Sequence, residues 1–362
     1  MRIGLFSPHF AFNYGAVLQA FALKTFLIEH GYDAVIINRR PEYHCAIPSL
    51  LGRIARRIEE LAKFNSFGKF EREYLQPQTE LIVHQTDWSK FEKFNLDAVI
   101  VGSDQIWRDD YCFTSFGYNL FLDFITDKSI KKISYAPSLG KESWNADPEV
   151  EAKVKELISD FSSISVREKS SIAILKQKFG VDSELVLDPT MLLTKEDYRR
   201  HFGIKKQAIN YIATYILDYN DSLDVMLSNI GKDLNLKIRK ILVRKTPKSK
   251  IGRLRDRFRT MKSVLEWVSN IANAKYVITN SFHGMVFSII FRKQFVVIMN
   301  EERGAARFKS LLSMFGLENR LLNNYNDALF LFSETIDYST IDPIIDLWRN
   351  KSINFLIKSL SK

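Results

Sequence analysis

Apolar runs of strand character alternate with stretches of helical character twice over along this chain. That alternation restricts the fold more than any other feature, because it is the pattern of a parallel sheet wrapped by helices. The opening run "RIGLFS" predicts a strand. After the turn "PHFAFNYG", Leu18, Phe21, Ala22 and Phe26 recur at three- and four-residue spacing, which predicts a helix with one buried face, stopped by Gly31. "DAVIIN" predicts the next strand, and "DAVIVGSD", "KKISYAPSLG" and "SSISVRE" follow, the last preceded by an amphipathic helix from Pro148 to Phe161. "SELVLDPTMLL" closes this set with a strand stopped by Pro189. The alternation then restarts with "AINYIATYIL", a helix around "SLDVMLSNIGKDL", "LKIRKILV", a helix around "SVLEWVSNIANA", the strand "KYVITN", the helix "HGMVFSIIF" and the strand "QFVVIM".

With 362 residues, each set can bury a core of its own. The chain reads as α/β with two Rossmann-like domains facing a cleft, the first over residues 1–200 and the second over 205–340. The final stretch, 341–362, contains "PIIDLWRNKSINFLIKSL", an amphipathic helix expected to return to the first domain. Ligands of such folds sit outside the carboxyl ends of the strands, so the residues at those ends are the candidates for function.

Composition narrows the classes of partner. Hydrophobic residues at 46% and charged residues at 26% exclude a disordered chain. No run reaches the roughly 18 unbroken apolar residues of a membrane span; "MVFSIIFRKQFVVIM" is cut by Arg292 and Lys293. The N-terminus enters a strand without the pattern of a secretory signal, which points to the cytoplasm. Cys45 and Cys112 make neither a disulfide framework nor a thiolate metal site. The net charge of +10 favours anionic partners. Much of it lies between Lys237 and Lys262, where Asp256 is the only acid; this is either a solvated surface or a site for an anion. Phe258 is the one aromatic in that run, too few for stacking bases, so nucleic acid is not an expected partner. "IPSLLGRIARRIEELAKF" predicts a helix with Arg53, Arg56 and Arg57 on one side, an ordinary surface helix or one that lies at a membrane face.

The candidate residues cluster at strand ends. In "TNSFHG", Ser281 stands where a helix is capped, and the N–H groups of Phe282, His283 and Gly284 are the open donors of its first turn. Those donors and the helix dipole favour a phosphate or carboxylate, beside which a histidine can exchange a proton near neutral pH. A histidine ahead of an apolar helix can equally be structural. Arg303 and Arg307 follow the next strand, and Arg167 ends a strand of the other half. Their guanidinium groups can bind a carboxylate or phosphate through paired N–H bonds, or pair with Glu168, Glu301 or Glu302. Asn13, Tyr14 and Gly15 precede a helix, where backbone and amide groups can bind polar oxygens. Asp104, in "VGSDQIW", has Trp107 nearby: a carboxylate and an aromatic platform for a sugar, or a capped turn and a core tryptophan. The phosphate-loop, zincin, nucleophile-elbow and dinucleotide motifs are absent. The histidines are scattered, so no metal site is expected beyond the weak pair Asp109 and Asp110.

Together, "NYGAVLQAFALKTFL", "VGSDQIW", "KISYAPSLG", "SISVREKSS", "VLDPTMLL" and, above all, "EWVSNIANAKYVITNSFHGMVFSIIFRKQFVVI" resemble the polysaccharide pyruvyl transferase family, from residue 1 to about residue 320. The resemblance implies a fold like that of the GT-B glycosyltransferases. It also implies a transferase that moves the enolpyruvyl group of phosphoenolpyruvate onto two sugar hydroxyls, closing a pyruvate ketal and releasing phosphate. Phosphoenolpyruvate would be the donor substrate, with no further cofactor. The acceptor would belong to a bacterial surface polysaccharide such as a capsule or exopolysaccharide, or to its lipid-linked precursor, with the work done at the inner membrane face. The family's histidine falls on His283 and its cleft arginine on Arg167. Relatives carry an arginine two places before the histidine, where this chain has Ser281; Arg303 or Arg307 is expected to supply that charge. On this chemistry His283 is the general acid, and Asp104 orients or deprotonates the sugar hydroxyl. A nucleotide-sugar-dependent GT-B glycosyltransferase and a non-catalytic carbohydrate-binding homologue fit the same fold.

Overall fold

The computed structural model describes residues 1–7, 13–40, 67–84, 87–88, 91–113, 116–207, 209–218, 220–242, 262–299, 305–322 and 325–361. Among them lie two parallel sheets. The first is built from β1 (Arg2–Phe6), β2 (Asp33–Ile36), β3 (Ala98–Val101), β4 (Lys131–Ser134), β5 (Ser163–Val166) and β6 (Glu184–Leu185), in the order β2-β1-β3-β4-β5-β6. The second is built from β7 (Tyr211–Tyr215), β8 (Lys237–Lys240), β9 (Tyr276–Thr279), β10 (Gln294–Ile298) and β11 (Leu321–Leu322), in the order β11-β10-β9-β7-β8. Counted from its own first strand, the first sheet runs 2-1-3-4-5-6 and the second 2-1-3-4-5, so each reverses direction between its first and third strands. Crevices for ligands open at such reversals, outside the carboxyl ends of the strands. The expected arrangement, two Rossmann-like domains of the GT-B kind, is the one observed.

The helices follow in alternation: α1 (Tyr14–Glu29), α2 (Pro148–Ser159), α3 (Lys169–Ile174), α4 (Lys195–Phe202), α5 (Asp221–Asp233), α6 (Val264–Ala272), α7 (Phe282–Ile290), α8 (Ala305–Phe315), α9 (Tyr325–Ser333) and α10 (Tyr338–Ser361). Interior strands are β-branched and buried on both faces, as β3 "AVIV" shows, because helices cover the sheet on each side. The edge strand β8, "KIRK", alternates exposed and half-buried positions, and its lysines discourage pairing with another chain.

One expectation about packing is corrected. The spacing in α1 predicts one apolar face, yet every residue from Tyr14 to Lys24 is buried, as are Phe26 and Leu27. The reason is tertiary: α1 lies between the first sheet and the second half of the molecule. Tyr14 stacks on Trp267 of α6, with centroids 5.3 Å apart and planes at 16°, and meets Tyr215 of β7 edge-on at 5.9 Å. A single apolar cluster therefore runs from Ile3 and Leu5 through α1 to Trp267, Met285 and Phe287. α10 also joins the two halves. Its start is fixed by Arg292, whose Nε lies 2.8 Å from Asp342. Farther along, Ser352 Oγ accepts from Leu187 N at 2.9 Å and Arg349 Nε donates to Met191 O at 2.9 Å.

Candidate active site

Strand ends of both sheets meet at one cluster of charges. Arg167, immediately after β5, is 3% exposed. Its Nη1 donates to Asp188 Oδ2 at 2.7 Å and to Ser103 Oγ at 3.3 Å, and its Nη2 donates to Asp104 Oδ1 at 3.1 Å. Nε lies 3.7 Å from Glu168 Oε1. Arg307, from α8 in the second half, brings its Nη1 to 3.9 Å from the same Asp104 oxygen. Both guanidinium groups also lie over the Phe282 ring, at 4.5 Å for Arg167 and 5.4 Å for Arg307. Cation–π attraction at a desolvated ring is worth on the order of 2 kcal/mol.

The carboxylates are held by hydrogen bonds as well as by charge. Asp188 Oδ1 accepts from Thr190 N at 3.0 Å and from Thr190 Oγ1 at 2.6 Å. Glu168 accepts from Ser138 Oγ, and from Ser171 Oγ at 2.9 Å. Burial pushes the Asp188 carboxyl up, but the bond and charge of His283, the charge of Arg167 and the Thr190 hydroxyl outweigh it and leave it well below the ordinary carboxylate range. Asp104 is likewise pushed up by burial and pulled further down by Arg167, His283 and Arg307. A carboxyl so held is a weak proton acceptor at neutral pH.

His283 opens α7 and is 5% exposed. Its Nε2 lies 2.5 Å from Gln19 Nε2 and 3.6 Å from Asp188 Oδ2. On the other side the ring rests on Gly15: a Cβ at that position would fall 2.0 Å from His283 Nδ1, so only glycine fits. Gly284 is required for a similar reason, since a Cβ there would fall 2.3 Å from Thr279 Oγ1. That hydroxyl accepts from Ser281 N at 3.0 Å. Ser281 occupies the cap position, but its side chain makes no bond to the first turn of α7.

Several sequence expectations change here. Trp107 does not line the cleft: it is 1% exposed, stacked on Phe121 at 5.6 Å, with Nε1 donating to Leu120 O. Ring faces packed in this way offer no platform to a sugar. Tyr14 is buried, and its hydroxyl donates to Lys262 O at 2.7 Å, so it joins the two halves and does not face an acceptor. Asn13 uses its Oδ1 to cap α1 through Gly15 N. Asp109 and Asp110 pair with Lys141 at 2.6 Å and Arg108 at 2.8 Å, and no metal-holding group is found among the described residues. Arg303 lies outside the described residues, as do the Arg53 to Arg57 helix and most of the basic run.

Among the described groups, Arg167 and Arg307 bring two positive charges against three negative charges from Asp104, Asp188 and Glu168. Asp188, Glu168 and Gln19 were not singled out by the sequence reading for the site. Asp188 carries the same signal as Asp104, an acid ending a buried strand, and Glu168 adjoins Arg167. Gln19 had a fainter one: an uncharged polar residue inside an apolar helix must find a partner.

Two doubly wound domains with functional groups at their switch points define the GT-B class of fold. A solved UDP-GlcNAc 2-epimerase from Neisseria meningitidis, bound to UDP-GlcNAc, superposes with a TM-score of 0.52 at 10% identity, covering 99% of this chain and 100% of that one. A protein of Listeria monocytogenes described as a UDP-N-acetylglucosamine 2-epimerase superposes with a TM-score of 0.53 at 11% identity, covering 100% and 96%. At that identity the likeness speaks for the fold alone. No curated protein matches the chain. Residues 13–302 match the model of the polysaccharide pyruvyl transferase family, and the chain belongs to that family of transferases. A sugar acceptor follows from that membership.

Proposed function

We propose that the chain moves the enolpyruvyl group of phosphoenolpyruvate onto two hydroxyls of one sugar, forming a pyruvate ketal and releasing phosphate. The observation that carries this is the convergence of Arg167 and Arg307 on a single carboxylate oxygen and a single aromatic ring, beside His283, at strand ends of both sheets. A pair of guanidinium groups suits a small ligand that bears both a carboxylate and a phosphate.

The charge count sets how the donor enters. A ligand with close to three negative charges cannot simply add to three carboxylates and two arginines. Phosphoenolpyruvate therefore takes the place of Asp104 between the two guanidinium groups, of which Arg307 holds it more loosely, and Asp104 turns toward the sugar. His283 then gives its proton to the methylene carbon: the C–H bond forms as N–H breaks, and the first sugar hydroxyl attacks the adjacent carbon. As its oxygen bonds to that carbon, the first hydroxyl returns a proton to the imidazole; the second hydroxyl then attacks the same carbon, its proton leaving with the phosphate as the C–O bond to phosphate breaks. Arg303, two residues beyond Glu301, is the remaining candidate for the charge that Ser281 does not supply.

The acceptor is proposed to be a sugar of a surface polysaccharide or of its lipid-linked precursor. No helix among the described residues is long and apolar enough to cross a membrane. The test is phosphate release by the full chain with phosphoenolpyruvate and a panel of glycosides. Release should require both substrates, and His283→Gln should lower it by at least about 100-fold, the low end for a positioned proton donor. Full activity in that variant, or turnover of nucleotide sugars with release of nucleoside diphosphate, overturns the proposal.

A further inference from the structure

The polar atoms around His283 raise a question that pyruvyl transfer alone leaves open: which ring nitrogen carries the proton that stays. Gln19 is 1% exposed, on a helix of the first half, and its Nε2 stands 2.5 Å from His283 Nε2 while its Oε1 has no partner among the described residues. With the carboxamide turned this way, His283 Nε2 must be a bare lone pair. That lone pair would also face the Asp188 carboxylate at 3.6 Å, an acceptor against an acceptor. A half turn of the carboxamide removes both faults. Oε1 then accepts from Nε2–H, the buried oxygen gains its partner, and the ring's N–H points between an amide oxygen and a carboxylate. The two ends of a carboxamide have nearly the same shape, so their assignment follows from the hydrogen bonds they make.

We propose that Gln19 and Asp188 are positioning residues that together hold a proton on Nε2 of His283, leaving Nδ1 as the nitrogen that exchanges a proton with substrate. Asp188 is itself locked, by Thr190 on one oxygen and Arg167 on the other, so the carboxylate that faces the ring cannot swing away. Nδ1 rests against the Gly15 backbone, where any side chain would collide with it, and no side-chain partner for that nitrogen is found among the described residues. The second half thus presents the histidine, and the first half sets its tautomer. In the transfer step the imidazolium loses its Nδ1 proton to the methylene carbon and keeps Nε2–H throughout.

The kinetic arm of the test rests on the pyruvyl-transfer reading; the spectroscopic arm does not. Long-range proton–nitrogen correlation spectra of the full chain labelled with [15N]histidine, with His283 assigned by its loss in His283→Gln, report the tautomer directly. The expected pattern is a protonated Nε2 and a bare Nδ1, kept in Gln19→Glu, which retains an acceptor oxygen, and lost in Gln19→Met. With phosphoenolpyruvate and acceptor, Gln19→Met should lower kcat by about 10- to 100-fold, the scale of losing a partner that orients an imidazole, with KM for phosphoenolpyruvate unchanged. A bare Nε2 in the wild-type chain overturns the proposal even if no variant can be purified. So does a Gln19→Met protein with unaltered tautomer and kcat. Absence of phosphoenolpyruvate-dependent phosphate release by the wild-type chain would instead sink the transfer reaction and leave the tautomer to be judged from the spectra.

Discussion

α1 and α7 stand at the switch points of their sheets, and their first turns touch, yet they are completed in different ways. At α1, Asn13 closes the turn with its own side chain, and the helix is then buried all round by apolar contacts. At α7, Ser281 makes no such bond, and the surroundings of His283 come from the other half: Gly15, Gln19 and Asp188. A turn finished by its own cap is a local structure. The α7 turn is finished only when the two halves are docked, which makes docking a condition for the chemistry as well as for stability.

The most disruptive way to break that arrangement is to remove the cation on which the first half's carboxylates depend. Arg167→Met leaves Asp104, Asp188 and Glu168 buried without their common partner, and a broken buried ion pair costs about 3–5 kcal/mol. Chemical denaturation should show that loss, whereas a loss under about 1 kcal/mol would mean the carboxylates find other partners. A smaller effect is expected from acid. Because Asp188 and Asp104 are both held below their ordinary values, they contribute stability that is present above about pH 4, where carboxyls ionise in the unfolded chain, and that is lost as pH falls through their folded values. Thermal midpoints measured from pH 5 downward should fall less steeply in Asp188→Asn than in the wild-type chain; equal slopes would show that other groups drive the acid transition. The mildest change tests the apolar side of the comparison. Tyr14→Phe keeps the stack on Trp267 and deletes the hydroxyl that reaches Lys262 O, so it should cost about 1 kcal/mol and leave KM for sugar acceptors alone. A raised acceptor KM would restore Tyr14 to the binding site.

Much of the fold was legible because period and punctuation are local. The strands of both sheets except β11, and helices such as α2 and α6, follow from runs of β-branched residues, helical spacing and stops at Gly and Pro. His283, Arg167 and Asp104 were legible as candidates for one reason, polar or charged residues at the carboxyl ends of apolar strands, and Arg307 as a cation that follows the next strand. Trp107 and Tyr14 misled for a related one. An aromatic next to a polar turn has the same sequence signature whether its ring faces a ligand or a neighbouring ring, and only packing separates the two. α1 hid Gln19, since a helix sandwiched between two bodies loses the one-sided pattern that would mark a polar residue as out of place.

From sequence alone came the two α/β sets, the strand ends at which chemistry is possible, and the family to which the chain belongs. The tertiary structure alone decided how those ends pair: that Arg167 is neutralised by three carboxylates, that Arg307 crosses to Asp104, and that the imidazole of one half is set by groups of the other. The physical reason is range. Periodicity and turn chemistry act over a few residues, whereas Gln19 and His283 are 264 positions apart and meet only because two separate cores pack into one.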